Sequence, residues 1–301
     1  MLTKLKSSSE KPKQKVRWRM TVTKFDLVKL FILYIALSPI CAMGLYNYLV
    51  FFPFKDHMDI HEIVAKIESA ENAKRTDVTI PSGNGQKLDG WLFQKKDAKK
   101  IIIVSHGNGG NIDHRIVLIA PLLEANCSVL LYDYEGYGSS TGEATIPAIK
   151  QDGLAVYDYV RNVMHYQPKD IIVYGESLGG GVTTYIAKNR PVGAIILQSA
   201  FASLTMAAKD RLFWLNLYPA IAFSGIEMDN AGYLHAPHPP VLLLHGDQDV
   251  VVPIKHGYKN FAEASEPKKL VVLKGCNHND VSTVNPKAFA EPLAQFVKEL
   301  P

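Results

Sequence analysis

The chain has 301 residues, 47% of them apolar and 21% charged, a composition that excludes a disordered or collagen-like protein. Its net charge of +4 is unevenly distributed: residues 1–29 contain nine basic and two acidic side chains, whereas the remainder contains 24 basic and 27 acidic ones. A nucleic-acid-binding domain spreads its basic residues over a folded face, so we expect no nucleic acid partner.

A long uncharged segment follows the basic N-terminus. Residues 30–54 contain no Asp, Glu, Lys or Arg, and as one helix they would extend about 37 Å, enough for a bilayer core of about 30 Å. Pro39 is expected to kink this helix. The alternatives are a cleaved signal peptide, for which Ile40-Cys41-Ala42 is a poor cleavage site because Ile is bulky, and a buried core helix. We predict a transmembrane anchor over 30–54, acting as an uncleaved signal-anchor.

The charges on either side of this segment predict its orientation. Nine basic residues precede it, whereas Lys55 and Lys66 are the basic residues among the next fifteen. By the positive-inside rule, residues 1–29 form a cytoplasmic tail and the rest of the chain lies on the periplasmic, lumenal or extracellular side. Residues 55–75 are expected to be a linker to a globular domain over 76–301.

The globular part alternates short β-branched runs with helical patterns, which predicts an α/β fold with a mostly parallel eight-stranded sheet and helices on both faces. The first two strands form a hairpin around an Asn-Gly turn. The strands are predicted at 76–80, 88–93, 101–105, 128–132, 171–174, 194–198, 241–244 and 270–273. The long interval 201–240 is a possible short lid, although its aromatic cluster is equally compatible with ordinary packing.

The strongest motif is Gly-Glu-Ser-Leu-Gly at residues 175–179, placed between a predicted strand and a predicted helix. A sharp strand-to-helix turn forces strained angles on its central residue, and the flanking positions must lack a Cβ that would clash. Ser177 is therefore predicted to be a catalytic nucleophile. The alternative is a serine that merely caps a helix.

A serine nucleophile needs a base and an acid that orients the base. His278 follows the last predicted strand and is the predicted base; the alternative is a structural loop histidine. Asp249 and Asp247 both follow the 241–244 strand. We predict that Asp249 is the catalytic acid, because Asp247 is close enough to the strand end to cap the turn instead.

The oxyanion of the reaction needs two backbone N–H donors. Leu178, which follows the nucleophile and begins a helix, is predicted to provide one, and Asn108 in the His-Gly-Asn-Gly-Gly loop to provide the other. This loop lacks the Lys-Ser/Thr ending of a phosphate-binding loop, and His106 lacks partners for a metal site, so we expect no metal and no cofactor. The three cysteines have no CxxC spacing and predict no disulfide framework.

These motifs together resemble the α/β-hydrolase superfamily over about three quarters of the chain. The run Tyr-Asp-Tyr-Glu-Gly-Tyr-Gly-Ser-Ser-Thr-Gly at 132–142 is similar to a turn of that family, with Glu135 where Arg is common. The N-terminal segment and the short lid are similar to those of single-pass membrane-anchored alpha/beta-hydrolase-domain proteins and their serine-aminopeptidase-like relatives. The resemblance implies an α/β-hydrolase fold and hydrolysis of an ester, thioester or amide without a cofactor.

We therefore expect a membrane-anchored serine hydrolase, esterase-, thioesterase- or lipase-like, that acts on a small-molecule or lipid-like acyl substrate, and we expect it to be a monomer. Two alternatives remain. One is a serine peptidase of the same fold. The other is a catalytically silent, membrane-tethered binding or scaffold protein, since fold alone does not fix function.

Overall fold

The structure is a computed structural model that describes residues 23–39, 41, 43–223 and 227–301. Residues 1–22, which make up most of the predicted cytoplasmic tail, and 224–226, in the predicted lid, lie outside the described residues.

An eight-stranded sheet forms the centre of the globular part and confirms the predicted strands. The strands are β1 (Ala73–Pro81), β2 (Lys87–Lys95), β3 (Lys100–Ser105), β4 (Cys127–Tyr132), β5 (Ile171–Glu176), β6 (Ala194–Gln198), β7 (Val241–Gly246) and β8 (Lys268–Leu273). Their spatial order is β8-β7-β6-β5-β3-β4-β2-β1. Because β2 runs antiparallel to β1 and β4, the sheet is mixed, while β3 to β8 are parallel.

Helices cover both faces of the sheet, as predicted. The described α-helices of the chain are α1 (Lys24–Ala36), α2 (Met43–Val50), α3 (His61–Glu71), α4 (Ile116–Glu124), α5 (Ile146–Asn162), α6 (Leu178–Asn189), α7 (Leu204–Arg211), α8 (Asn230–His235), α9 (Lys255–Glu263) and α10 (Pro286–Glu299). The apolar sides of α5 and α6 pack on one face, and those of α3, α4 and α10 pack on the other.

The central strands are buried on both sides. In β3, Ile101 and Ile103 belong to the core beneath α5 and α6, whereas Ile102 and Val104 belong to the core beneath α4 and α10. This alternation follows from the two-residue period of a strand, and a continuous apolar run is what a strand covered on both faces requires. Each such side chain contributes about 1.5–3 kcal/mol through burial.

The N-terminal apolar segment is not one helix. α1 has 13 residues and α2 has eight, so they extend about 20 Å and 12 Å, and a turn that includes Pro39 separates them. Among the residues described, no helix is long and apolar enough to cross a bilayer. The expectation of one continuous helix over 30–54 is wrong. Pro39 has no N–H to continue the helix and disfavours helical angles at Ser38.

The interval 201–240, named the insertion below, contains α7, two short 3₁₀ segments (Phe213–Leu217 and Ala220–Phe223) and α8. The buried side chains of Leu215, Tyr218 and Phe223 form a small apolar cluster of their own. Tyr34 of α1 and Tyr46 of α2 pack against this cluster. The N-terminal helices and the insertion therefore form one packed unit.

Glu135, the departure from the family pattern, belongs to a buried polar group. Its backbone N–H donates to Asp152 Oδ2 at 2.9 Å, and the Ser82 hydroxyl lies 3.1 Å from Asp152 Oδ1 and 3.2 Å from Glu135 Oε1. Burial, with the nearby Glu135 carboxyl, raises the pKa of Asp152 to about 7. The two carboxyls tie the 132–142 turn to α5 and to the first hairpin.

Because of the Asp152 carboxyl, we expect the free energy of unfolding to fall as the pH rises. The pKa of Asp152 is higher in the folded than in the unfolded state, so its contribution is complete below pH 4 and is lost as the pH rises through about 7. Asp152→Asn removes the titration, and its free energy of unfolding relative to wild type should rise by about 2–3 kcal/mol between pH 5 and 8. Urea unfolding at both pH values measures this difference, and parallel pH dependences in the two proteins would refute it.

Candidate active site

A cavity of about 600 Å³ lies at the carboxyl ends of the parallel strands. Loops that follow β3, β5, β7 and β8 contribute to its wall, and such crevices are the usual ligand sites of open α/β sheets. The lining residues are Phe52, Phe54, Gly107, Asn108, Gly109, Gly110, His114, Arg115, Val117, Leu118, Glu176, Ser177, Gln198, Val251, His278, Asn279 and Ser282. The cavity thus brings Ser177, His278 and Asn108 together, and no described residue of the insertion lines it.

Ser177 occupies the turn between β5 and α6. Its φ of +52° lies in the left-handed region, which is strained for a residue with a side chain. The Ser177 N–H donates to the carbonyl of Gln198 in the neighbouring strand at 2.8 Å and holds this turn in place. The backbone is therefore strained where the sequence motif predicts it.

The two flanking glycines are required by close backbone contacts. A Cβ added at Gly179 would lie 1.9 Å from the Ser105 carbonyl oxygen, and one added at Gly175 would lie 2.4 Å from the Gly179 carbonyl oxygen. No rotamer change relieves a clash with backbone. The turn thus depends on glycine at both positions, for the steric reason expected from the sequence.

His278 is bound to Asp249. Its Nδ1 lies 2.7 Å from Asp249 Oδ2, and both side chains are buried. The other oxygen of Asp249 accepts the N–H groups of Val251 and Val252 at 2.9 and 2.8 Å. Although burial opposes ionisation, hydrogen bonds from His245 and His278 hold the pKa of Asp249 well below its usual range. Asp249 is thus a fixed, ionised acceptor for the imidazole.

Asp247 has a different role in the structure. It accepts the Gly275 N–H at 2.8 Å and lies 3.2 Å from Lys274 Nζ, so it caps the turn after β8. Between the two candidate aspartates, the one in contact with His278 is Asp249.

Ser177 and His278 share the cavity without a hydrogen bond between their described side chains. In ligand-free enzymes the contact between nucleophile and base is often long and tightens only when substrate is bound. The Nε2 edge of His278 remains for such a contact, because Nδ1 is occupied by Asp249.

The predicted oxyanion donors lie beside the serine. Leu178 is the first residue of α6, whose positive N-terminal end faces the cavity side, and Asn108 lines the cavity wall. Within the described part of the chain, neither backbone N–H donates to another protein group. Both remain available to a substrate oxygen.

The loop that contains Asn108 is held by the segment that leaves α2, a contact that the sequence did not predict. Phe52 N–H donates to the Asn108 carbonyl at 3.0 Å, and Phe54 N–H donates to the Gly110 carbonyl at 3.1 Å. The Asn108 side chain donates to the Val50 carbonyl at 3.0 Å. The end of the N-terminal apolar segment therefore forms part of the active-site wall.

His106 packs in the core. It is fully buried beside Tyr134 and Tyr137, and its Nε2 lies 3.2 Å from Asp133 Oδ1. Across the described ranges, no group of three or more His, Cys, Asp or Glu side chains is placed to hold a metal ion.

An ion pair between Arg115 and Glu176 lies in the cavity wall and was also missed from sequence. Arg115 Nε donates to Glu176 Oε2 at 2.9 Å, and Nη1 donates to the Gly109 carbonyl at 2.6 Å. Burial opposes ionisation of Glu176, but the charge and hydrogen bonds of Arg115, together with smaller contributions from His106 and His278, lower the pKa of that carboxyl. The pair fixes both the residue before Ser177 and the loop after β3.

Removal of Arg115 from its ion pair should leave the buried charge of Glu176 without a partner. We expect Arg115→Met to lower the free energy of unfolding by about 2 kcal/mol, less than a fully enclosed pair would cost because this one borders the cavity. The double variant Arg115→Met/Glu176→Gln should recover most of that loss. Urea unfolding of the single and double variants measures the coupling, and strictly additive effects would contradict it.

Comparisons with known proteins agree with this architecture. The family model for the alpha/beta hydrolase fold matches residues 100–222. An uncharacterized protein of Mycobacterium tuberculosis is 30% identical over 225 residues, 74% of this chain and 79% of that protein. Human alpha/beta hydrolase domain-containing protein 17B is 28% identical over 207 residues, 67% of this chain and 68% of that protein.

A solved structure shares the fold. The Pyrococcus furiosus esterase Pf2001 superposes with a TM-score of 0.66 at 19% identity, over 83% of this chain and 98% of that one. Together with the family match and the 30% identical relative, the strand order and the strained turn at Ser177 show that the chain belongs to the α/β-hydrolase superfamily.

Proposed function

We propose that the protein is a serine hydrolase that cleaves a carboxylic ester, thioester or amide, with Ser177 as nucleophile, His278 as base and Asp249 as the acid that orients the base. The observation that carries this proposal is the strained turn that presents Ser177 to the cavity of a buried His278–Asp249 pair. A strained nucleophile turn followed along the chain by an acid and then a histidine is the arrangement this fold uses for acyl transfer.

The proposed reaction has two steps. In the first, His278 Nε2 takes the proton from Ser177 Oγ as the oxygen attacks the substrate carbonyl, and the N–H groups of Leu178 and Asn108 hold the oxyanion. The carbon–heteroatom bond then breaks, the leaving group takes the proton from His278, and an acyl-serine remains. In the second, water gives a proton to His278 as it attacks the acyl-serine. The acyl–oxygen bond then breaks, Ser177 Oγ takes the proton back from His278, and the acid is released.

We propose in addition that the N-terminal segment associates with a membrane. Residues 1–29 carry a net charge of +7, and α1 exposes a series of large apolar side chains. The flanking charges predict a cytoplasmic N-terminus with the catalytic domain on the other side, an arrangement that requires residues 30–54 to cross the bilayer. Association of α1 and α2 with the bilayer surface instead keeps both on one side. Protease digestion of sealed membranes tests the predicted orientation: if the C-terminal domain is cut from the cytoplasmic face, that orientation is wrong.

The hydrolase proposal is tested with p-nitrophenyl esters from acetate to palmitate. The wild-type chain should release p-nitrophenol from at least part of this series, and the preferred length defines the acyl class. A folded protein that hydrolyses no member of the series would instead favour a catalytically silent binding protein.

A further inference from the structure

We propose that α1, α2 and residues 204–223 of the insertion form one surface that docks on an anionic phospholipid bilayer, with the Ser177 cavity opening beside it. The substrate class would then be an ester or thioester of a bilayer-resident acyl chain. This second part rests on the proposed hydrolase function, whereas the docking itself does not. Together these residues constitute the docking surface.

The three elements are joined by specific contacts. The rings of Tyr34 and Tyr218 stack with a centroid distance of 4.5 Å. Tyr34 Oη donates to the Leu217 carbonyl at 3.1 Å, and Tyr218 Oη donates to the Tyr34 carbonyl at 2.8 Å. Tyr46 of α2 completes the cluster. The described residues of the insertion therefore support the N-terminal helices, and none of them lines the cavity.

The outer side of this unit is apolar and exposed. α1 has no buried residue, and Phe31 is 65% exposed. Tyr48 of α2 is 81% exposed, and Phe213 and Leu217 of the insertion are 80% and 70% exposed. Single exposed apolar residues are ordinary, but a group on adjacent elements marks an interaction surface.

The charge around the surface favours an anionic bilayer as the partner. Lys29 Nζ lies 4.4 Å from the centroid of the Phe25 ring, and Lys209 Nζ lies 5.1 Å from that of Phe223. Lysines whose stems lie along aromatic rings while the ammonium groups reach the polar boundary suit a lipid interface. The nine basic residues in 1–29 add to this attraction, at about 1 kcal/mol each near an anionic membrane. A second copy of the chain would bring the same positive charge.

The cavity wall adjoins the docking surface along the chain, just after α2. Leu49 of α2 is 47% exposed and precedes Phe52 by three residues, a span of at most about 11 Å. Phe52 and Phe54 line the cavity and remain 55% and 54% exposed. Val117, on the same cavity wall, is 50% exposed. An acyl chain that leaves the bilayer would thus find apolar contacts up to the cavity.

The docking is tested with the full-length Ser177→Ala chain, so that catalysis plays no part. In flotation assays it should bind vesicles of phosphatidylcholine mixed with phosphatidylglycerol more tightly than vesicles of phosphatidylcholine alone, and salt should weaken the difference. Adding Phe213→Ser and Leu217→Ser should weaken binding at least about tenfold, because two large apolar side chains no longer insert. The matched control is Val163→Ser, which removes a 60% exposed valine outside the docking surface and should bind as the parent does.

Circular dichroism and thermal unfolding establish that each variant is folded. Equal binding by the parent and the Phe213/Leu217 variant, or self-association without lipid in place of flotation, would overturn the docking proposal. In a chain that retains Ser177, Phe213→Ser with Leu217→Ser should lower the hydrolysis of a long-chain ester embedded in the same vesicles, in parallel with the loss of binding. Undiminished hydrolysis would overturn the bilayer-resident substrate. If the chain floats with vesicles but the wild-type protein hydrolyses no ester, docking is supported and the hydrolase is refuted.

Discussion

Asp249→Asn should lower kcat for a short p-nitrophenyl ester by about 10,000-fold. The amide oxygen of the new side chain must stay where it accepts the N–H groups of Val251 and Val252. Its NH₂ group then faces His278 Nδ1, which becomes an acceptor, and the ring proton moves to Nε2. In that tautomer His278 is unable to take the proton of Ser177.

Asp247→Asn is the matched control, because it makes the same chemical change two residues away. Asp247 caps a turn and has no contact with His278, so we expect a loss of kcat below about tenfold. Steady-state kinetics of the two variants decides between the aspartates. A larger loss in Asp247→Asn than in Asp249→Asn would reassign the acid.

Gly179→Ala should lower the free energy of unfolding by at least about 4 kcal/mol, at the severe end of single substitutions. The added Cβ would lie 1.9 Å from the Ser105 carbonyl oxygen and 2.8 Å from that of His106, both of them backbone atoms. Relief requires α6 to move away from the end of β3. We expect the Tm to drop by about 10 °C or more, and hydrolysis to fall because Leu178 and Ser177 move with the helix.

Gly83→Ala is the control for this substitution. A Cβ at Gly83, in the first hairpin turn, would have no atom within 4 Å, and the backbone there does not require glycine. The change should alter the free energy of unfolding by less than about 1 kcal/mol. Thermal unfolding of the two variants provides the comparison, and equal Tm values would show that the close approach at Gly179 is not limiting.

Local sequence signals were sufficient for the sheet. The strands β3 to β7 are largely apolar runs, and burial on both faces explains why such runs occur there. The Asn-Gly turn correctly predicted the first hairpin. α3 was missed, although Ile60, Val64 and Ile67 have helical spacing and are buried, because the span before it drew residues 55–75 into a linker.

The parts of the site that depend on local structure, a tight turn or the end of a strand, were predictable from sequence. The glycines around Ser177 report a local steric demand, and strand ends position His278 and Asp249 at the same edge of the sheet. Arg115 and Glu176 were not predictable, because they are 61 residues apart and only the folded chain brings them together. The same holds for the contact between Phe52 and Asn108.

The composition of the N-terminal apolar segment predicted only part of its structure. Its lack of charge predicts a lipid-facing environment but not the number of helices, which depends on Pro39. Its packing on the insertion was not predictable, because no sequence feature of the aromatic cluster at 212–223 indicates which segment packs against it. A segment read as an independent anchor proved to be packed against the catalytic domain.

Labelling with a fluorophosphonate probe tests the central claim most directly, because the reagent reacts with serines activated by a base and leaves ordinary serines unmodified. The folded wild-type chain should be labelled on the peptide that contains Ser177, heat denaturation should abolish labelling, and Ser177→Ala should remain unlabelled at an unchanged Tm. A folded wild-type protein that takes up no probe, or a label that persists in Ser177→Ala, would contradict the assignment of Ser177 as the nucleophile.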